Sequence, residues 1–147
     1  MSSVEIPEHL TIELTQVARY RAFEETAGGF ALPDSESSDR HFFFSLPGAI
    51  ALPAVIYYRT RHTGKPLFSV RINDLTVTQY TFVDGDEAER TWHEIIPAST
   101  HGRPTLRPDN NELVFFARDG SVVFGDVVIV YTSNQTTIPI AVIAARP

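Results

Sequence analysis

Short apolar runs that alternate with polar residues dominate the sequence, and turn-forming residues separate them. Leu10–Leu14 shows the pattern most simply, because every second residue is apolar, as in a strand with one buried face. The same criterion predicts eight further strands: His41–Leu46, Ala49–Arg61, Leu67–Ile72, Leu75–Phe82, Arg90–Ile96, Glu112–Arg118, Ser121–Tyr131 and Thr137–Ala145. Eight or nine short strands with short connections and little helix predict an all-β fold: a single antiparallel β-sandwich of jelly-roll type.

Two dipeptides are predicted to form the tight turns between neighbouring strands. Asn73-Asp74 tolerates the left-handed backbone of a two-residue hairpin, and Asp119-Gly120 is the strongest hairpin signal in the chain. Helical periodicity is weak throughout. Gln16–Glu25 is the one segment in which a helix stays an alternative, and Gly28-Gly29 would end it.

Length and composition agree with one domain that has a real core. The 147 residues are 43% apolar and 11% aromatic, and no linker or repeat divides them, so we expect a single domain over residues 1–147. The net charge of −6 argues against nucleic acid as a partner, which needs a dense basic face. The absence of cysteine excludes disulfides and thiolate metal sites.

The N-terminal residues lack the basic start and apolar run of a signal peptide, and no stretch approaches the ~20 apolar residues of a membrane span. We therefore expect a cytoplasmic protein with no membrane partner.

Four motifs follow one another in residues 66–132 in a recognisable order. They are the stretch Phe68–Asp74, the strand Trp92–Pro97, the run Leu106–Phe115 with its Leu-x-Pro-x-Asn core, and the strand Ser121–Tyr131, which ends in Asp-Val-Val-Ile-Val-Tyr. This order resembles the jelly-roll β-sandwich of galactose-binding-like domains and related carbohydrate-binding modules. The resemblance implies a binding module, but it transfers no ligand contact, because the binding residues of such domains lie in variable loops.

Signals for catalysis are sparse. The five histidines lack the spacing of known metal sites, and no Gly-x-Ser-x-Gly elbow or glycine-rich phosphate loop occurs. Glu94 and Asp126 could meet on neighbouring strands as a glycosidase carboxylate pair, although surface or structural roles fit them better. The sequence leaves open whether the protein is an enzyme, and it favours a non-catalytic protein. No cofactor is expected, except that Asp84 and Asp86 in the acidic stretch before Glu89 are weak candidates for a structural calcium.

The residues most suited to a ligand are the aromatic and basic side chains near one strand end. Tyr57, Arg59, Arg61, His62 and Trp92 combine ring faces, which stack on sugar C–H surfaces, with planar polar groups that bind hydroxyls or carboxylates. The first hypothesis is therefore a non-catalytic module that recognises a glycan or a similar small polar ligand. It requires an exposed aromatic ring beside Arg, His or Asn in one concavity.

The alternative is a structural or interaction protein that self-assembles through a sheet face. Adjacent aromatic residues point to opposite faces of a sheet, as in Phe42-Phe43-Phe44 and Phe115-Phe116. At least one ring of each run therefore faces away from the core and must be covered by another layer, a loop or another subunit. A homo-oligomer would reconcile the two hypotheses, because several weak sites bind more tightly together.

Overall fold

The computed structural model describes residues 15–20, 29–85 and 88–134, and of residues 15–20 it describes the backbone. The regular elements in these ranges are all strands: β1 Thr15–Tyr20, β2 Phe30–Leu32, β3 Asp39–Phe44, β4 Ala54–Ile72, β5 Leu75–Thr81, β6 Glu89–Ile96, β7 Ser99–Thr100, β8 Arg103–Pro104 and β9 Asn111–Thr132. The predicted all-β class is confirmed. No helix in the described part of the chain is suited to crossing a membrane.

Two long antiparallel strands, β4 and β9, build both layers of the sandwich. In sheet I, residues 54–61 of β4 pair with β6, and residues 122–132 of β9 pair with β2 and β1. In sheet II, residues 67–72 of β4 pair with β5, and residues 111–116 of β9 pair with β3. Each long strand therefore contributes one half to each sheet.

Ring contacts show that the two halves of each long strand face one another. Tyr58 and Phe68 are ten positions apart on β4 and would be ~33 Å apart on a straight strand. Their ring centres are 6.5 Å apart, and those of Phe115 and Phe124 on β9 are 4.8 Å apart. Both strands must therefore fold over between these residues, so that sheet I packs on sheet II.

Glycines lie where the long strands pass from one sheet to the other. Gly64 and Gly120 are register partners with φ values of 81° and 147°. A Cβ atom on Gly120 would lie 2.8 Å from the carbonyl oxygen of Thr63 and 2.9 Å from Cδ of Pro66. A side chain does not fit there, so the close approach of the two strands requires glycine.

The turn predictions had opposite outcomes. Asn73 and Asp74 have φ values of 47° and 71° and form the predicted two-residue hairpin between β4 and β5. The hairpin predicted at Asp119-Gly120 is wrong, because β9 continues through it with a register shift between Arg118 and Gly120. The bulge here has positive φ at Asp119 and Gly120, as a hairpin turn would, so the dipeptide signal does not separate the two.

Several strand limits also differ from the prediction. Residues 54–61 of the predicted strand Ala49–Arg61 and the whole of Leu67–Ile72 belong to the continuous strand β4, which begins directly after Pro53. Thr15–Tyr20 is a strand where a helix was the alternative. The predicted strands Leu10–Leu14 and Thr137–Ala145 lie outside the described residues.

The core is aromatic and includes one polar node. Rings from both sheets pack between the layers: Tyr58, Phe68, Phe115, Phe124 and the less deeply buried Trp92. Asn111, fully buried at the start of β9, accepts from the Arg107 backbone N–H at 2.9 Å and donates to the Arg107 carbonyl at 2.6 Å. These bonds satisfy the buried amide and begin the strand.

Candidate functional site

The structure places the five predicted binding residues on opposite faces of sheet I. Alternation along β4 turns Tyr57, Arg59 and Arg61 outward and turns His62 inward. Tyr57 is 41% exposed, whereas His62 is 4% exposed and Trp92 on β6 is 9% exposed. The five residues therefore do not share one concavity.

Arg59 on the outer face is already engaged by two carboxylates. Its guanidinium lies 2.9 Å from Oε2 of Glu89 and 2.8 Å from Oδ2 of Asp126. Asp126 reaches Arg59 because it lies in a second bulge of β9, where its φ is 51°. Tyr57, by contrast, has His93 as its ring neighbour at 6.2 Å.

Trp92 belongs to the core rather than to an exposed platform. Its ring stacks on Tyr58 with centres 6.2 Å apart, and its indole N–H donates to Oγ1 of Thr60 at 2.8 Å. The expected exposed aromatic ring at this position is not found, because the inward face of β6 is covered by sheet II. The one polar atom of the indole is satisfied inside the core.

A concavity lies at the lateral edge of the sandwich that is formed by β5 of sheet II and β6 of sheet I. This cavity of about 360 Å³, the edge pocket, is lined by His62, Tyr80, Phe82, Val83, Asp84 and Arg90, with Ala88 and Glu89 at the start of β6. Its size lies at the lower end of the range, roughly 300–1,000 Å³, of small-molecule sites. Of the five predicted residues, the pocket includes His62.

His62 carries a buried polar atom without a partner. The ring stacks on Phe82 at 3.7 Å, and Nε2 lies 3.4 Å from the backbone carbonyl of Asp84. Nδ1 has no hydrogen-bond partner in the described residues. An unsatisfied buried polar group costs roughly 1–3 kcal/mol, so it is unusual unless a ligand or water supplies the missing bond.

The guanidinium of Arg90 lies over two rings of the same edge. Its guanidinium carbon lies 4.2 Å from the Trp92 ring centre and 4.9 Å from the Tyr80 ring centre. The described Arg–carboxylate ion pairs use other arginines, namely Arg40, Arg59, Arg71 and Arg118. These cation–π contacts hold the guanidinium at the edge without using its N–H donors.

Tyr80, Phe82 and Arg90 are not among the binding residues predicted from the sequence. A signal was available: Tyr80-x-Phe82 ends one strand, Arg90-x-Trp92 begins the next, and a short acidic connection joins them. Neighbouring strands joined in this way bring their facing ends together. The pattern within either strand alone does not indicate this juxtaposition.

The carboxylate pair considered for glycosidase chemistry is separated by sheet I. Glu94 faces inward and accepts a hydrogen bond from Oγ1 of Thr78 at 2.9 Å, whereas Asp126 lies on the outer face. Thr78 in turn accepts from the hydroxyl of Tyr58 at 2.7 Å, and burial raises the pKa of Tyr58. Glu94 therefore completes a structural hydrogen-bond chain and does not share a cleft with Asp126.

Asp86, one of the two calcium candidates, lies outside the described residues. Asp84 is described, and its backbone carbonyl faces His62. In the described ranges, no three His, Asp or Glu side chains form a group that could hold a metal ion.

The described fold defines the class as an antiparallel β-sandwich, and the fold implied by the resemblance of residues 66–132 is confirmed. No protein-family model matches the chain, and no curated protein matches it in sequence. The structure is similar to that of dimeric latent PorU from Porphyromonas gingivalis, with a TM-score of 0.57 and 12% identity over 82% of this chain. The chain spans 12% of the PorU chain, and at this identity the likeness is one of fold.

Carbohydrate-binding modules are also among the similar structures. The CBM36-1 domain of a multidomain xylanase from the hindgut metagenome of Trinervitermes trinervoides has a TM-score of 0.45 and 10% identity, covering 82% of this chain and 99% of the module. The C-terminal CBM6 of LamC from Zobellia galactanivorans has a TM-score of 0.42 and 9% identity, covering 80% of this chain and 100% of the module.

Proposed function

We propose that the chain is a non-catalytic binding module that takes a carbohydrate or similar polar ligand in the edge pocket. The observation that carries the proposal is the guanidinium of Arg90, which lines a cavity of about 360 Å³, lies over the Tyr80 and Trp92 rings and takes part in none of the described ion pairs. Its N–H groups can donate to a polar ligand in the cavity. The sites of small ligands have this combination of apolar walls and few polar groups.

The other groups of the pocket suit a molecule with both C–H faces and hydroxyls. Tyr80 and Phe82 present ring surface, and Arg90 presents N–H donors beside the Tyr80 ring. Val83 is 76% exposed at the rim, which adds apolar surface where a ligand would enter. A sugar ring offers both kinds of surface in one small unit.

The test is a titration of the ¹⁵N-labelled protein with cellohexaose, xylohexaose and mannohexaose, followed by amide chemical shifts. We expect shifts at Tyr80, Phe82 and Arg90 with at least one of the three sugars. Tyr80→Ala should abolish them, whereas Tyr57→Ala, on the outer face, should leave them unchanged. Shifts confined to Tyr57, Arg59 and Arg61 would move the site to the outer face and contradict the pocket. No shift with any sugar would contradict carbohydrate binding.

A second candidate function, interaction through a sheet face, is supported by one row of residues. Strand register aligns Ile95, Val55 and Val130 across β6, β4 and β9 of sheet I. Residues that are paired in this way share a face of the sheet, and Ile95 is 70% exposed. An apolar row across an outer face favours association with another protein surface, including a second copy of the chain.

Light scattering coupled to gel filtration tests this candidate. Self-association through the row predicts a mass that rises with protein concentration and falls to that of a monomer in Ile95→Lys. Phe43→Lys, on the outer face of sheet II, is the matched control and should behave as the unchanged protein. A monomer at every concentration would exclude self-assembly.

A further inference from the structure

Building on the proposed function, we infer that Arg59, on the outer face of sheet I, is a positioning residue for the edge pocket. By binding the carboxylate of Glu89, it keeps that carboxylate from pairing with the guanidinium of Arg90. The N–H donors of Arg90 then remain free for the ligand. Two features carry the inference: the place of Glu89 at the pocket, and the two contacts that hold Arg59.

Glu89 connects the outer face of sheet I with the edge pocket. It is the first residue of β6 and lines the pocket, as does the next residue, Arg90. Its Oε2 accepts a hydrogen bond from the guanidinium of Arg59 at 2.9 Å. Among the described residues, the ion pairs between arginine and carboxylate leave Arg90 out. The carboxylate that precedes Arg90 in the chain is thus engaged by a different arginine.

Asp126 holds the other prong of the Arg59 guanidinium. Nη1 of Arg59 lies 2.8 Å from Oδ2 of Asp126, whereas Nη2 bonds Glu89. Asp126 lies in the bulge of β9, and its φ of 51° is uncommon for a residue other than glycine. A bulge can re-aim a side chain, and here the re-aimed carboxylate orients the planar fork of Arg59. The contacts therefore run across β9, β4 and β6 to the wall of the pocket.

Without Arg59, the carboxylate of Glu89 would have Arg90 as a partner within the same cavity. The two residues are neighbours in the chain and both line the pocket, and a carboxylate accepts hydrogen bonds from a guanidinium readily. An Arg90 engaged in this way would offer fewer N–H groups to a sugar hydroxyl. Arg59 thus acts on ligand binding through Glu89, although it does not line the pocket.

The test measures affinity by isothermal titration calorimetry with whichever of cellohexaose, xylohexaose and mannohexaose shifts the pocket amides. We expect Arg59→Gln to weaken binding about three- to fivefold, the effect of one exposed ion pair. Arg71→Gln is the matched control, because Arg71 also lies on β4 and pairs with a carboxylate, Asp74 at 3.3 Å, away from the pocket. It should leave the affinity unchanged. Exposed ion pairs contribute little to stability, so both variants should fold.

A second substitution separates positioning from a merely structural role. Glu89→Gln removes the competing charge, so alone it should leave the affinity unchanged, and in the Arg59→Gln protein it should restore it. Salt should act in the same direction, because exposed ion pairs are screened: the deficit of Arg59→Gln should shrink from about 0.05 M to about 0.5 M NaCl. A loss of local structure would be reversed by neither.

The failures are distinguishable. Pocket binding with equal affinity in Arg59→Gln, or a deficit that Glu89→Gln does not restore, would overturn the inference and leave the binding module in place. If Glu89→Gln alone weakened binding as much as Arg59→Gln, the carboxylate itself would bind the sugar, which also contradicts the inference. Absence of pocket shifts with every sugar in the original protein would overturn the proposed function, on which the inference rests.

Discussion

The sandwich has two lateral edges, and at each of them an arginine lies over aromatic rings. At the β2/β3 edge, the guanidinium carbon of Arg40 lies 5.1 Å from the Phe30 ring centre, and the side chain has Asp34 at 3.8 Å. At the β5/β6 edge, Arg90 lies 4.2 Å from the Trp92 ring centre, and the described ion pairs do not include it. Both edges therefore pack an arginine over aromatic rings, but in the described ion pairs only Arg40 has a carboxylate beside it.

The difference lies in the side chains beneath each arginine. Phe30 and Phe42 carry no polar atom, and their ring centres are 5.4 Å apart, so the β2/β3 edge closes as a hydrocarbon contact. The β5/β6 edge contains Tyr80 and His62, which carry polar atoms, and a cavity lies beside them. The β5/β6 edge, which has polar groups beside a cavity, is therefore better suited to a ligand than the β2/β3 edge.

The largest expected effect compares one ring at each edge. Phe30 is buried against three further rings, so Phe30→Ala should cost about 3–5 kcal/mol of unfolding free energy. Tyr80 is half-buried, and Tyr80→Ala should cost about 1–2 kcal/mol. Urea denaturation measures both. Equal losses would mean that the two edges are equally well packed and would remove the contrast.

The second effect tests the place near Gly64 and Gly120 where β4 and β9 pass from sheet I to sheet II. Gly120→Ala should cost about 2–3 kcal/mol, because the new Cβ would contact backbone at 2.8 Å and φ is 147°. Gly85→Ala is the control, since a Cβ there meets nothing within 4 Å. Denaturation of the two variants should differ by most of that amount. A Gly120→Ala protein as stable as the control would show that the long strands do not need this close approach.

The third effect exchanges ring types between the edges. His62→Phe should raise the unfolding free energy by about 1 kcal/mol, because it removes a buried atom without a partner. Phe42→His at the closed edge should lower it by about 2 kcal/mol, since it buries a polar ring in a hydrocarbon contact. Thermal denaturation reads both. A His62→Phe protein less stable than the original would mean that the imidazole is satisfied after all.

The smallest effect is a pH dependence of the unfolding free energy that arises from His41 on β3, at the β2/β3 edge. His41 on β3 lies with Nδ1 2.6 Å from Oε2 of Glu112 and Nε2 3.3 Å from Asp39, and the bond to Glu112 is the main reason that the pKa of His41 is raised above 6.5. A raised pKa gives stability that is complete below 6.5 and is lost as pH rises through the folded value.

The corresponding measurement compares the original protein with His41→Gln from pH 5.5 to 9, a window chosen at roughly the range in which histidine titrates. The stability difference between them should shrink as pH rises. Ser69→Ala, on the same face of sheet II, should show no such trend. A constant difference for His41→Gln would mean that the ring is not held charged by Glu112 and Asp39.

Much of the fold could be predicted from local patterns. Leu75–Phe82 and Arg90–Ile96 agree with the observed β5 and β6 to within one residue at each end, because alternation depends on neighbours in sequence. The hairpin at Asn73-Asp74 was predictable for the same reason. Asp119-Gly120 was not, since its backbone preference fits both a hairpin and a bulge, and only the pairing of β9 with β4 decides between them.

The site was predicted in small part. His62 was identified from its position in a basic run, but the same alternation already put it on the opposite face from Arg59 and Arg61. The edge pocket combines His62 with Tyr80 and Arg90 from two other strands. No local pattern ranks one such combination above others, because contacts between strands depend on how the whole sandwich closes.

The amino-acid order by itself determined that this chain forms paired strands with an aromatic interior, since alternation and turn preferences act between residues a few positions apart. Only the tertiary structure decided that β4 and β9 each fold over into a second sheet, that Trp92 is covered, and that the imidazole of His62 lies at a cavity with one nitrogen unpartnered in the described residues. The reason is that burial and pairing are properties of distant segments brought together, which no single segment specifies.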